Sequence, residues 1–187
     1  PFRPKTMACA ASAATPSDGN DRVDKVLKAW EAIVPTESVG ASEERISKLI
    51  IRTSAHVKLQ WSHDQRLYFL DSLLATQAVY RESILRMGNA YGFNRSEDRE
   101  VLFRWCQLLI RHNCQNLASV VEGYLTSSRD DLSTLTIWQA MVDKGRQEMR
   151  WKFIAQDIWH AARSQLEPDM LVDVEGILQT GRCLGPF

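Results

Sequence analysis

The sequence predicts an all-α protein, and three observations carry that prediction. Prolines stand at Pro1, Pro4, Pro16 and Pro35, then at Pro168 and Pro186, so nothing between Pro35 and Pro168 forbids helix. Apolar residues recur at i, i+3, i+4 and i+7 along most of that interval, and no alternating, β-branched segment with hairpin turns competes with them. Helix-start residues stand just ahead of several of those apolar faces.

Taken in order, residues 8–20 are small and polar and read as a linker, and the first helix spans 20–32. VPTESVGAS, residues 34–42, reads as a loop before helices at 43–51 and 54–60. Ser62 with Gln65 resembles a capping box ahead of LYFLDSLL, predicting a helix over 63–75, and another follows over 79–91. Ser96 precedes Glu97 and Asp98, acids suited to the positive end of a helix dipole. The helix they open, 96–112, has Leu102, Trp105, Cys106, Leu109 and Ile110 on one face. Leu117, Val120, Val121, Tyr124 and Leu125 repeat that spacing over 115–126. Ser128 precedes Asp130 and Asp131, opening 129–144; Trp151, Ile154, Ala155, Ile158 and Ala162 mark 147–165; the last helix covers 168–179. Links this short make successive helices antiparallel neighbours, stacked as a bundle or as an α-solenoid without a repeated signature.

A chain of 187 residues fits one domain, or one domain plus a tail. Lys+Arg and Asp+Glu number 23 each, so net charge gives no reason to expect nucleic acid or an anionic membrane as partner. No apolar run approaches the ~20 residues of a membrane helix, and the start has no apolar core of a signal peptide. Cys9, Cys106, Cys114 and Cys183 are scattered without a CxxC; Cys106 and Cys114 fall in helical patterns and read as buried reduced thiols. These features favour a reducing, cytoplasmic setting. Without Met at position 1, the chain reads as a piece of something larger.

Candidate chemistry is sparse. His56, His63, His112 and His160 form no HExxH and no i, i+4 pair, so no metal site is expected; His63 lies at a helix start and His112 at a helix end, as surface or capping residues. GxxxxGK[ST], GxGxxG and GxSxG are all missing. Ser127 and Ser128 have no nearby base and read as capping residues, and adjacent carboxylates such as Glu43/Glu44 and Asp130/Asp131 diverge by ~100° on a helix. Trp30, Trp61, Trp105, Trp138, Trp151 and Trp159 lie in or beside apolar stripes and read as core. Arg104, embedded in REVLFRWCQLLIRHNCQ, either snorkels or pairs with an acid on a neighbouring helix, and a structural ion pair is preferred over a ligand contact. No catalytic set is visible.

DQRLYFLDSLL, ILRMGNAYGFNRSEDREVLFRW, TLTIWQAM and HAARSQL, in their order and spacing, resemble the C-terminal helical domain of the aminopeptidase B and leukotriene hydrolase family of zinc aminopeptidases. The resemblance runs from about Trp61 to the end, and more weakly to the Pro-x-x-Pro start. It implies an armadillo/HEAT-like right-handed stack of antiparallel helix pairs over residues 21–187, with 1–20 as the linker from an absent metallopeptidase domain. The implied role is to close the active-site cavity and limit peptide access. Zinc and its general base belong to the upstream domain, so this chain itself is expected to hold no cofactor and cleave nothing. Its expected partners are that upstream domain and, in the parent only, a peptide substrate. The alternative is a helical-repeat interaction scaffold from a catalytically dead relative.

The resemblance also gives the segment before TLTIWQAM a meaning. Family members place basic residues just ahead of a TLPLY motif, near the cavity, where they can meet a substrate carboxylate. Here Asp130 and Leu132 occupy those positions, Arg129 is one place early, and Thr136 replaces the proline. Arg129, Asp130 and Asp131 are therefore the substrate-adjacent candidates. An acid pair would repel a peptide C-terminus, whereas acids in a first helical turn stabilise it by ~0.3–1 kcal/mol each. A helix start is the preferred reading. The R-x-K spacing of Arg150 and Lys152 offers a substitute motif, but using it would spoil the match at HAARSQL.

Overall fold

A computed structural model describes residues 20–33, 39–76, 79–127 and 132–180. Among them the secondary structure is entirely helical: α1 (Asp21–Glu31), α2 (Val39–Gln60), α3 (His63–Ala75), α4 (Arg81–Tyr91), α5 (Arg99–Arg111), α6 (Ala118–Ser127), α7 (Leu132–Gly145), α8 (Met149–Ala162) and α9 (Pro168–Thr180). The odd-numbered helices pack in succession, α1 on α3, α3 on α5, α5 on α7 and α7 on α9. Beside them α2 packs on α4 and α6 on α8, while α1/α2, α5/α6 and α7/α8 also meet. Each of the nine contributes buried side chains to one apolar cluster.

Several boundaries differ from the sequence expectation for physical reasons. The helices expected at 43–51 and 54–60 are one, α2. Thr53, in its middle, donates its hydroxyl to the Leu49 carbonyl at 2.7 Å, which satisfies the polar side chain without interrupting the helix. The capping box at Ser62 is formed as expected, with Gln65 N–H on Ser62 Oγ and Ser62 N–H on Gln65 Oε1. The helix expected from Ser96 starts three residues later. Asp98 is its cap, accepting from the N–H groups of Glu100 and Val101, after a 3-10 turn at Phe93–Arg95. Further 3-10 turns at Gln115–Leu117 and Arg163–Gln165 take the ends of the helices expected over 115–126 and 147–165.

All six tryptophans are buried, as the apolar stripes require. Trp30, Trp61, Phe69, Tyr91, Phe93 and Trp105 touch ring to ring from α1 through α5, mostly edge-on or tilted, at centroid separations of 5.1–6.5 Å. Trp138 and Trp159 join α7 to α8 in the same manner. Within the first cluster the polar atoms are ordered into one sequence of donors. The Trp30 indole N–H donates to Tyr91 Oη at 2.8 Å. Since Thr53 already gives its only hydroxyl hydrogen to Leu49, the 2.6 Å contact between Tyr91 and Thr53 has Tyr91 as donor. Helices α1, α4 and α2 are thereby tied through buried groups with every hydrogen used.

A second tie is made by Asn113, just past α5, with φ +57°. Cys114 N–H reaches Leu109 O at 2.8 Å and Asn113 N–H reaches Ile110 O at 3.1 Å, the Schellman pattern that closes a helix on a left-handed residue. Asn113 Oδ1 accepts from the buried Trp151 indole at 2.9 Å and its carbonyl from Arg81 Nε at 3.1 Å, so α4, α5 and α8 meet on one residue. Asn113→Gly keeps the backbone geometry but strands the Trp151 N–H, and should cost about 1–3 kcal/mol. Asn113→Ala adds the left-handed strain and should cost ~1 kcal/mol more than the glycine variant. Urea denaturation of the two variants checks the order, and an alanine variant as stable as the glycine one would refute it.

Candidate functional site

Arg104 is on α5 and faces α3. Its Nε donates to Asp71 Oδ1 at 2.7 Å, and its Nη1 lies 3.3 Å from both Glu100 Oε2 and the Glu100 carbonyl. Because Asp71 is 54% exposed, water screens the pair, and its worth is less than ~1 kcal/mol. Arg111, two turns further along the same face, donates to the Leu74 carbonyl and so closes the end of α3.

Arg129, Asp130 and Asp131 lie outside the described residues, as does Ser128. The residues flanking them link the end of α6 to the start of α7. Ser127 Oγ donates to the Tyr124 carbonyl at 3.1 Å, Tyr124 Oη and Ser133 Oγ are 2.6 Å apart, and the Arg99 guanidinium stands 5.8 Å above the Tyr124 ring. Thr136 spends its hydroxyl on the Leu132 carbonyl at 2.8 Å, within the first turns of α7. That local bond is one a proline could not make.

The histidines take separate positions. His63 opens α3 and pairs through Nδ1 with Asp98 Oδ2. Burial alone would raise the Asp98 carboxyl, but hydrogen bonds from His63 and from the Val101 and Glu100 N–H groups outweigh it and hold the pKa low. His112 caps the end of α5 as expected, yet it is half-buried, with no partner for Nε2 among the described residues. Burial, then the charges of Arg111 and Lys144, push its pKa down. Among the described residues no three of His, Cys, Asp and Glu converge as metal ligands.

Cys106 and Cys114 are free and buried. Burial drives both thiols up, Cys114 to about 11 from an ordinary value of 9.0. A raised thiol pKa favours the folded state fully below about pH 9 and loses that contribution as pH rises through the folded value. Stability should therefore fall above about pH 9 by up to ~1.4 kcal/mol per pH unit for each thiol. The double variant Cys106→Ala/Cys114→Ala should flatten this limb in denaturation curves between pH 8 and 10; an unchanged slope would assign the loss to other groups.

Sequence reasoning missed two features of the surface and the joints. Asn113 could have been found as an asparagine directly after a helix end. The other is a row of cations between α1 and α2, invisible to a net charge of zero.

The family model described as "Leukotriene A4 hydrolase, C-terminal" matches residues 61–178. Aminopeptidase B of Mus musculus is 28% identical over 119 residues, and that of Rattus norvegicus 27% identical over 119. Each alignment covers 63% of this chain and 18% of the relative, so the chain matches only a small part of those proteins. No solved structure gives a significant match. With its helices, its order of motifs and the span of that match, the chain belongs to the family of leukotriene A4 hydrolase C-terminal domains.

Proposed function

We propose that residues 21–187 are the non-catalytic C-terminal helical domain of a zinc-dependent aminopeptidase, joined through residues 1–20 to a metallopeptidase domain. The domain closes one side of that enzyme's active-site cavity and limits the peptides that enter. The observation that carries this is the family match over residues 61–178, made with relatives named aminopeptidase B. An armadillo/HEAT-like stack belongs to the same proposal and is supported by the succession of α1, α3, α5, α7 and α9. Zinc and the catalytic base are assigned to the upstream domain, the peptide to the assembled enzyme, and the location to the cytoplasm. Among the described residues no helix is long and apolar enough to cross a membrane.

Charge replacement ahead of α7 favours a second reading. Asp130 and Leu132 stand where the family's bases would meet a substrate carboxylate, as suits an interaction scaffold that has lost the reaction. The test is the polypeptide encoded ahead of Pro1, assayed intact with aminoacyl arylamides and with peptides of increasing length. An HExxH with a downstream Glu, activity, and relaxed length selectivity on deleting residues 61–187 support the aminopeptidase. Lack of the zinc set and of activity replaces it with the scaffold.

A further inference from the structure

Helices α1 and α2 leave an open groove between them, in two adjoining hollows of ≈ 440 and ≈ 230 Å³ that share Ala29, Leu49 and Arg52. Its cations come from two helical stripes. Arg22 and Lys25 are one turn apart on α1; Arg45, Lys48 and Arg52 follow on successive turns of α2, and His56 continues the polar stripe one turn further. At 1.5 Å per residue the α2 stripe is ~16 Å long, the reach of about five extended residues. No carboxylate lines either hollow.

Three acids of these two helices are engaged, one of them with a cation of the groove itself. Asp24 accepts from the Tyr68 hydroxyl at 2.9 Å, Glu43 approaches Arg86 on α4 at 3.7 Å, and Glu44 takes Lys48 at 2.6 Å. Arg22, Lys25, Arg45 and Arg52 make no ion pair within the described residues. Four unpaired cations over a floor of Val26, Ala29, Ile33 and Leu49 form an electrostatic and apolar complement to one kind of ligand.

We propose that this groove docks an acidic peptide segment of a partner protein, with its carboxylates on Arg22, Lys25, Arg45 and Arg52 and an aliphatic side chain against Ala29 and Leu49. Nucleic acid is the poorer fit: base stacking is strongest on exposed Trp, Tyr or Phe rings, and the groove lining contains none of these. The apolar floor favours a ligand that alternates acid with aliphatic.

Fluorescence anisotropy of the 187-residue chain with a labelled twelve-residue Glu/Leu peptide tests this at low ionic strength. The expected result is saturable binding, weakened at least tenfold by Arg45→Gln/Arg52→Gln with thermal stability unchanged. Arg150→Gln/Arg163→Gln, two exposed cations on and after α8, should leave binding intact. Matched Gln/Leu peptide and oligo-dT should bind at least tenfold more weakly than the Glu/Leu peptide. Equal binding of the Gln/Leu peptide, preference for oligo-dT, or indifference to Arg45→Gln/Arg52→Gln would each overturn the proposal, as would no binding. Since the assay needs no peptidase, its failure would leave the aminopeptidase assignment standing.

Discussion

Trp30→Ala should destabilise the chain by about 3–5 kcal/mol, the range for emptying a large buried aromatic site. Trp30 is fully buried, and its ring meets Tyr91 edge-on at 6.0 Å. The loss therefore combines transfer of the indole with a cavity that three helices line. Tyr91→Phe is the informative companion, because it removes one oxygen and almost no volume. It strands the Trp30 N–H inside the core, which should cost about 1–3 kcal/mol. Thr53→Val removes the acceptor of the same sequence of bonds and should couple to it, so the double variant Tyr91→Phe/Thr53→Val should cost less than the sum of the two. Chemical denaturation gives all four values. A near-neutral Tyr91→Phe would mean that the indole N–H finds another partner, contrary to the geometry.

Gly88→Val should cost at least ~3 kcal/mol, since even one added carbon has nowhere to go and overpacking is costly. A Cβ at Gly88 would lie 2.7 Å from Cζ2 of Trp105 and closer still to Asn94 Oδ1. That oxygen accepts the Trp105 indole N–H at 2.8 Å, so displacing it also breaks this part-buried bond. Replacing a helical glycine normally gains up to ~1 kcal/mol in propensity. Here the steric term wins, because Trp105 is fully buried and cannot turn aside. Gly123, where an added Cβ would meet nothing within 4 Å, is the control: Gly123→Ala should be neutral or stabilising. If both variants behaved alike in urea denaturation, close packing at Gly88 would be refuted.

The difference between these two glycines is absent from the local sequence pattern. Helical period and the Ser62 capping box were legible because both are written within one or two turns of chain. The burial of the tryptophans followed from their stripes. Thr53 was not legible: its hydroxyl is satisfied partly by its own helix and partly by Tyr91, 38 residues on. Arg104 stood out as a base inside an apolar run, but Asp71 as its partner is fixed by the packing of α5 on α3. At the opening of α5 two acids followed Ser96, and only the side-chain geometry selects Asp98 as the cap.

The row of cations between α1 and α2 has an effect that reaches beyond the groove. Because the whole chain is formally neutral, this local excess is balanced by acids elsewhere in the sequence, and charge separated in that way acts as a dipole rather than as a net charge. A dipole exerts torque on an approaching ion before it exerts much net pull, and its field dies away faster than that of a monopole. Such a protein would turn one end toward an acidic neighbour at close range while ignoring polyanions at a distance, within the ~8 Å over which physiological salt lets charges be felt.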